Sequence, residues 1–217
     1  MVNIEQPSLP SGLNTSGYIK LTHIYLASAS PRRSDLLKQI GIEHTVLKIP
    51  AAPGEDEPRH AGESPLQYVQ RTASDKAELA VRWIASQKGK LDPDLAVLTA
   101  DTTVALGELV LGKPSDALDA KKILSLLSDQ THIVYTAVVL SHGDKRWQTL
   151  STSRVSFSKL TEADIEEYIA TLEPFGKAGA YGIQGFAAKF ISKLEGSYTG
   201  VMGLPLYETA VLLKKKR

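Results

Sequence analysis

The chain contains no cysteine, which removes disulfides, thiolate metal sites and a cysteine nucleophile from consideration. It carries almost no net charge: 25 Lys and Arg stand against 24 Asp and Glu, a formal +1. That excludes a nucleic-acid binder of the strongly basic kind, so any anion must be met by a local cluster. Aromatic residues are scarce, at 6%, and they do not interleave with basic residues as a single-strand-binding surface requires. No window approaches the ~18 apolar residues that a membrane-spanning helix needs. Residues 1–20 hold Ser, Pro, Asn and Gly without an apolar run, so they are expected to form a flexible tail on a cytoplasmic protein. Neither a Walker loop nor a GxGxxG fingerprint occurs.

What remains is an ordinary globular composition, 42% hydrophobic and 23% charged over 217 residues. That length suits one large domain or two small lobes, and the domain is expected to cover 21–217. A strand is expected over 23–27, a helix over 31–40 stopping at Gly41, and a weak strand over 44–49. Ser64 with Pro65 opens a helix reaching about Gln87, whose apolar face includes Leu66, Val69, Ala73, Ala77 and Ala80. A compact apolar strand, 95–100, ends at Asp101, and 102–111 forms a hairpin around Gly107. Ser115 caps a helix over 116–128 with Ala117, Ala120, Ile123, Leu124 and Leu127 on one face. Two longer strands, 133–140 and about 147–157, join through a turn at His142, Gly143 and Asp144. Thr161 and Asp164 form a capping box for a helix ending near Thr171, and Pro205 starts the last helix. The run Lys214–Arg217 reads as a solvated helix end, since cations complement a C-terminus. Without repeat or linker, this alternation predicts one mixed α/β unit, with room for two lobes around a cleft.

The chemistry begins at LASASPRRSDLL (26–37), where a strand hands over to a helix opened by Pro31. First-turn amides and the positive end of a helix attract an anion, and guanidinium groups bind phosphate directionally. Cations at that end are disfavoured unless an anion is present, so Arg32 and Arg33 suggest a phosphate site. Asp101, at the end of AVLTAD, suits a carboxylate facing a ligand crevice. The hairpin after it returns Lys113 towards that carboxylate. Lys76 lies within a helix, and Glu55, Asp56 and Glu57 cluster in the loop after the second strand. Each of these has an ordinary surface explanation. Together they supply the cations for phosphate oxygens and the hard oxygen ligands for a metal that a magnesium–triphosphate site needs. The glycine-dense stretch 176–185 lets backbone approach a ligand, and Gln184 offers a donor and an acceptor for a base edge.

Ser28-Ala29-Ser30-Pro31-Arg32-Arg33, Ala100-Asp101-Thr102, Gly112-Lys113-Pro114, Gly179-Ala180-Tyr181-Gly182-Ile183-Gln184-Gly185 and Gly203-Leu204-Pro205 resemble the Maf family. Its members are nucleoside triphosphate pyrophosphatases, also described as septum formation inhibitors. The resemblance runs from about 23 to 213, and the form of the glycine-rich motif is similar to the subfamily acting on dTTP and UTP. It implies an elongated mixed α/β fold with a cleft between lobes, related in shape to the inosine triphosphatases, a divalent cation (Mg or Mn) and cytoplasmic residence. It implies Asp101 as proton acceptor and metal ligand, and Arg32, Thr102 and Gln184 as setters of substrate preference. Arg33, Lys76 and Lys113 match phosphate-handling positions, Ser28 and Ser30 share their turn, and Glu57 is the acidic residue chosen from the irregular loop as second metal ligand. The expected partner is a nucleoside triphosphate, with no stable nucleic acid and no membrane; a homodimer is left open. Two other readings stand beside this one: a nucleotide-sensing division regulator without turnover, and a Maf-type enzyme preferring another base such as 7-methyl-GTP.

Overall fold

The computed structural model describes residues 23–50, 58–87 and 89–215. The expected tail, 1–20, and the acidic residues Glu55, Asp56 and Glu57 lie outside the described residues. In chain order the elements are β1 (Ile24–Leu26), α1 (Pro31–Gln39), β2 (His44–Val46), α2 (Pro65–Ser86), β3 (Val97–Leu106) and β4 (Leu109–Leu111). They continue as α3 (Ala117–Leu127), β5 (Thr131–His142), β6 (Lys145–Phe157), α4 (Glu162–Ala170), β7 (Ile191–Glu195), α5 (Tyr198–Met202) and α6 (Leu206–Lys215). Short 3-10 turns occupy Ala178–Ala180 and Phe186–Phe190.

The strands form one seven-stranded sheet in the order β2-β1-β3-β5-β6-β7, with β4 also on β3. β1 runs parallel to β2 and β3, and the remaining pairs are antiparallel. One edge of β3 is covered by β5 from Val97 to Ala105. Its other edge is shared: β1 pairs with Val97 and Leu98, whereas β4 pairs with Val104, Ala105 and Leu106. Between those two partners, 99–103 of β3 have no strand beside them on this edge among the described residues. This interruption in the sheet edge positions the site.

Local chemistry explains most element boundaries. Ser64 and Gln67 close a reciprocal capping box at the start of α2, with Pro65 in the first turn. The helix then lays Val69, Ala73 and Ala77 on Ala137 and Val139 of β5. Leu66 falls outside that face and is exposed, contrary to its expected place in the core. Thr161 and Asp164 cap α4 in the same reciprocal way. At α3 the cap is Asp116, not Ser115: Asp116 Oδ1 accepts the Asp119 N–H at 2.8 Å, while the Ser115 N–H donates to Asp119 Oδ2. Moving the cap by one residue leaves Ala117 exposed at the solvent side of the first turn.

The largest departure concerns β3. It does not end at Asp101 but continues to Leu106, so Asp101 is a mid-strand residue opposite Ala137. Thr102, Thr103 and Val104 are β-branched and favour extended backbone, and nine register partners on β5 hold them there. A carboxylate is tolerated mid-strand because its side chain lines a cleft on the α2 face and is met there by the Lys76 ammonium. The hairpin to β4 is a two-residue turn, Gly107-Glu108, with Gly107 at φ 57°.

The core divides about this point. Leu98 and Ala100 belong to a cluster with Ile24, Leu26, Leu36, Leu37, Leu140 and Leu212, which seats α1 and α6. Val104 belongs to another, with Leu124, Phe157, Tyr168 and Tyr181, around α3, α4 and the glycine-rich segment. Burial of Leu36 and Leu37 contributes roughly 1.5–3 kcal/mol each, which fixes α1 and the arginines at its start. The sheet is single and mixed, as expected, while two cores flank the gap in β3.

Candidate active site

Successive residues of β3 point to opposite faces. Thr99, Asp101 and Thr103 face α2, where Thr99 Oγ1 donates to the Ala73 carbonyl at 3.2 Å. The Asp101 side chain is 15% exposed, and the Lys76 ammonium of α2 donates to its Oδ1. Asp101 Oδ2 has no protein partner among the described residues. Tyr68, Thr72 and Lys76 recur every fourth residue, so they form one stripe along α2 that lines the cleft beside Asp101. Thr102 and Thr103, the residues from Val110 to Lys113, and Ala178 complete the lining. The hairpin thus returns Lys113 to the cleft of Asp101, as expected.

The opposite face of β3 carries Thr102, and here the arginines enter. Arg33 Nε donates to the Gly203 carbonyl at 2.8 Å, Nη1 to Ser28 Oγ at 3.1 Å and Nη2 to Thr102 Oγ1 at 3.2 Å. Burial lowers the Arg33 pKa, the Asp101 charge opposes that shift, and Arg32 adds to it. The charges of Arg33 and Asp101 therefore sense each other across the gap. Arg32 Nε donates to the Met202 carbonyl at 3.4 Å, and its pKa is also lowered by burial. Both guanidinium groups thus rest on carbonyls at the C-terminal end of α5, the negative end of a helix. The protein supplies part of the negative partner that the sequence argument assigned to a bound anion. Gly203 ends α5 at φ 116°, a left-handed conformation that favours glycine, and this aims its carbonyl at Arg33. The Ser30 N–H donates to Ser28 Oγ at 3.2 Å, and its side chain makes no cap bond to α1.

The glycine-rich segment serves mainly to pack. Gly179 has φ 70°, and a Cβ there would sit 2.9 Å from Val104 Cγ1. Its N–H donates to the Gly112 carbonyl at 3.0 Å, which ties the segment to the residue before Lys113. Tyr181 is buried, with its hydroxyl 2.8 Å from His132 Nε2. Burial lowers the His132 pKa to about 4. Glu173 brackets the following turn: Oε1 accepts the Tyr168 hydroxyl and Oε2 the Phe186 N–H, both at 2.9 Å. A Cβ on Gly185 would lie 2.2 Å from that carboxylate, so a side chain there would displace Glu173 from its bonds to Tyr168 and Phe186. Gln184 is exposed in this turn, makes no hydrogen bond among the described residues and does not line the cleft of Asp101. Lys177 lies near Arg32: burial lowers its pKa first, and the Arg32 charge lowers it further.

Residues 23–216 match the family described as Maf-like protein. The chain belongs to the Maf family. It is 55% identical over 191 residues to a dTTP/UTP pyrophosphatase of Bordetella pertussis, which covers 88% of this chain and 91% of that protein. It is 49% identical over 199 residues to a dTTP/UTP pyrophosphatase of Cupriavidus pinatubonensis, covering 90% and 97%. A third, from Ralstonia nicotianae, is 49% identical over 197 residues, covering 88% and 92%.

The Maf motifs therefore meet at one place in this fold. Lys76, Asp101, Thr102 and Lys113 line a single cleft, and Ser28 and Arg33 join it behind Thr102. Arg32 of α1 rests alongside against the end of α5, and Gln184 stands apart. Sequence reasoning missed Tyr68, Thr72, Thr103 and Lys177, although the four-residue spacing of the first two with Lys76 was a readable signal. It also missed Glu63, whose carboxylate is gripped by Arg71 Nε at 2.7 Å and Nη2 at 2.9 Å. That pairing lowers the Glu63 pKa to about 2. Arg59 extends the same loop to the β3–β4 hairpin, donating to the Glu108 carbonyl at 2.7 Å.

Proposed function

We propose that this chain hydrolyses dTTP and UTP to the nucleoside monophosphate and pyrophosphate. The observation that carries the reading is the Asp101 carboxylate, which lines one cleft with Lys76 and Lys113 while Arg33 stands behind Thr102 on the other face of β3. The names of relatives about half identical over most of both chains support the same chemistry.

Asp101 Oδ2 accepts a proton from water, and that water attacks the α-phosphorus. The bond from the α-phosphorus to the α–β bridging oxygen breaks, and pyrophosphate leaves. Lys76 holds the other carboxylate oxygen, which fixes the orientation of the base. Lysine and arginine donors placed where charge develops lower the barrier without reorganisation during the reaction. Among the described residues no group of three or more His, Asp or Glu could cage a metal. One carboxylate in a cationic cleft does fit a magnesium-type ion that completes its coordination with substrate phosphates and water. Asp101 would hold such an ion, with Glu57 as the second candidate, and the ion would supply charge neutralisation and an activated water. No helix among the described residues is long and apolar enough to cross a membrane.

A panel of common nucleoside triphosphates, with magnesium or manganese, tests this by direct detection of pyrophosphate. Release from UTP and dTTP above the others supports the reading. Nucleotide binding without pyrophosphate release would favour a sensing regulator, and a purine preference would move the substrate class.

A further inference from the structure

We propose that Thr136, on β5, is a positioning residue that acts on Arg33 through Thr102. The proposal rests on the reading of Arg33 as a phosphate-binding cation. Thr136 Oγ1 donates to the Gly200 carbonyl of α5 at 2.8 Å and lies 3.0 Å from Thr102 Oγ1. A hydroxyl has one hydrogen. With the Thr136 hydrogen on Gly200, the hydrogen between the two threonines must come from Thr102. Arg33 Nη2 in turn donates to Thr102 Oγ1. The polarity of the chain is therefore set: Arg33 to Thr102, Thr102 to Thr136, Thr136 to the Gly200 carbonyl.

Two consequences follow. The only hydrogen of the Thr102 hydroxyl is committed inwards, so Thr102 does not donate it to a substrate while this chain is intact. Its effect on substrate passes through the guanidinium. The second consequence concerns α5. Its Gly200 carbonyl is anchored by Thr136 while its terminal Gly203 carbonyl receives Arg33 Nε, so one buried hydroxyl links both supports of the arginine. Gly200 is close-packed there, since a Cβ would lie 2.9 Å from Ser151 Oγ and 3.0 Å from Ser197 Cβ. Three of the five guanidinium N–H groups are held by Gly203, Ser28 and Thr102, which leaves one on each Nη for an anion. Thr136 is 1% exposed and does not line the cleft, so its role is indirect.

The test compares Thr136→Val, which keeps the shape and deletes the hydroxyl, with Thr136→Ser, which keeps the hydroxyl. Thr136→Val is expected to lower kcat/KM for UTP and dTTP by a common factor of up to roughly tenfold, the equivalent of one neutral hydrogen bond at the upper end of its range. Thr136→Ser is expected to restore it to within about twofold, and Thr102→Val should not add to the loss in the double variant. An activity-independent readout is NMR exchange of the Arg33 Nε–H: protected in the parent and in Thr136→Ser, exchanging roughly tenfold faster in Thr136→Val. Unchanged Arg33 exchange in Thr136→Val overturns the proposal. So does a change in preference among bases with Arg33 still protected, because Thr102 would then read substrate directly. If the parent released no pyrophosphate, the activity reading would fail alone, and Arg33 exchange would still decide the role of Thr136.

Discussion

Substituting Gly179 by alanine challenges the packing that holds the glycine-rich segment against the cleft. At φ 70° an alanine carries about 1–2 kcal/mol of backbone strain. Its Cβ would also lie 2.9, 3.0 and 3.1 Å from the three side-chain carbons of Val104, which sits in the buried core. Overpacking of this kind costs about 1–3 kcal/mol, so the expected destabilisation is about 2–5 kcal/mol in all. The two terms separate in a double-mutant cycle. Val104→Ala alone removes two buried methyl groups and costs about 2 kcal/mol. In the double variant the overlap with the two methyl groups is relieved while the Cβ contact and the backbone strain remain, so the pair should be less destabilised than the sum by up to about 1–3 kcal/mol. Urea unfolding of the four proteins measures this, and activity gives a parallel reading. The Gly179 N–H holds the Gly112 carbonyl, so displacement should shift Lys113 and lower kcat/KM for every accepted nucleotide alike. Strict additivity of the two substitutions would refute the packing argument. Full stability of Gly179→Ala would refute the backbone argument as well.

His132 gives a pH expectation. Its folded pKa, about 4, lies below the ordinary 6.5 because burial disfavours the charged ring. The unfolded chain therefore binds the proton first, and stability is lost as pH falls from about 6.5 towards 4, by up to about 3 kcal/mol. His132→Gln should flatten that part of the stability–pH curve, and an unchanged slope would assign the acid loss to other groups. Gln184→Ala should narrow the preference for UTP and dTTP over CTP, since a side-chain amide can meet the adjacent donor and acceptor of a uracil or thymine edge. A retained UTP:CTP ratio would place base reading away from Gln184.

Much of this was legible from local chemistry. The cap at Ser64, the capping box at Thr161, the turn at Gly107 and the return of Lys113 depend on residues a few positions apart. The continuation of β3 past Asp101 was not legible, because it depends on register with β5, 28 to 34 residues away. The carbonyls that hold Arg32 and Arg33 come from α5, 170 residues along the chain, and carry no side-chain signature. The glycines of 176–185 were read as room for a ligand, whereas Gly179 and Gly185 make room for Val104 and Glu173. The stripe of Tyr68, Thr72 and Lys76 was hidden beside the apolar face of α2, since one helix presents a packing face and a cleft face about 100° apart.

The central claim is that Asp101 activates water against the α-phosphorus of a pyrimidine nucleoside triphosphate. Hydrolysis of UTP in ¹⁸O-labelled water, with products resolved by mass spectrometry, tests it most directly. The account predicts label in UMP and none in pyrophosphate, with turnover reduced ~10²–10⁴-fold in Asp101→Asn, the usual loss for a missing general base. Label in pyrophosphate, release of inorganic phosphate with UDP, or parental turnover in Asp101→Asn would contradict it.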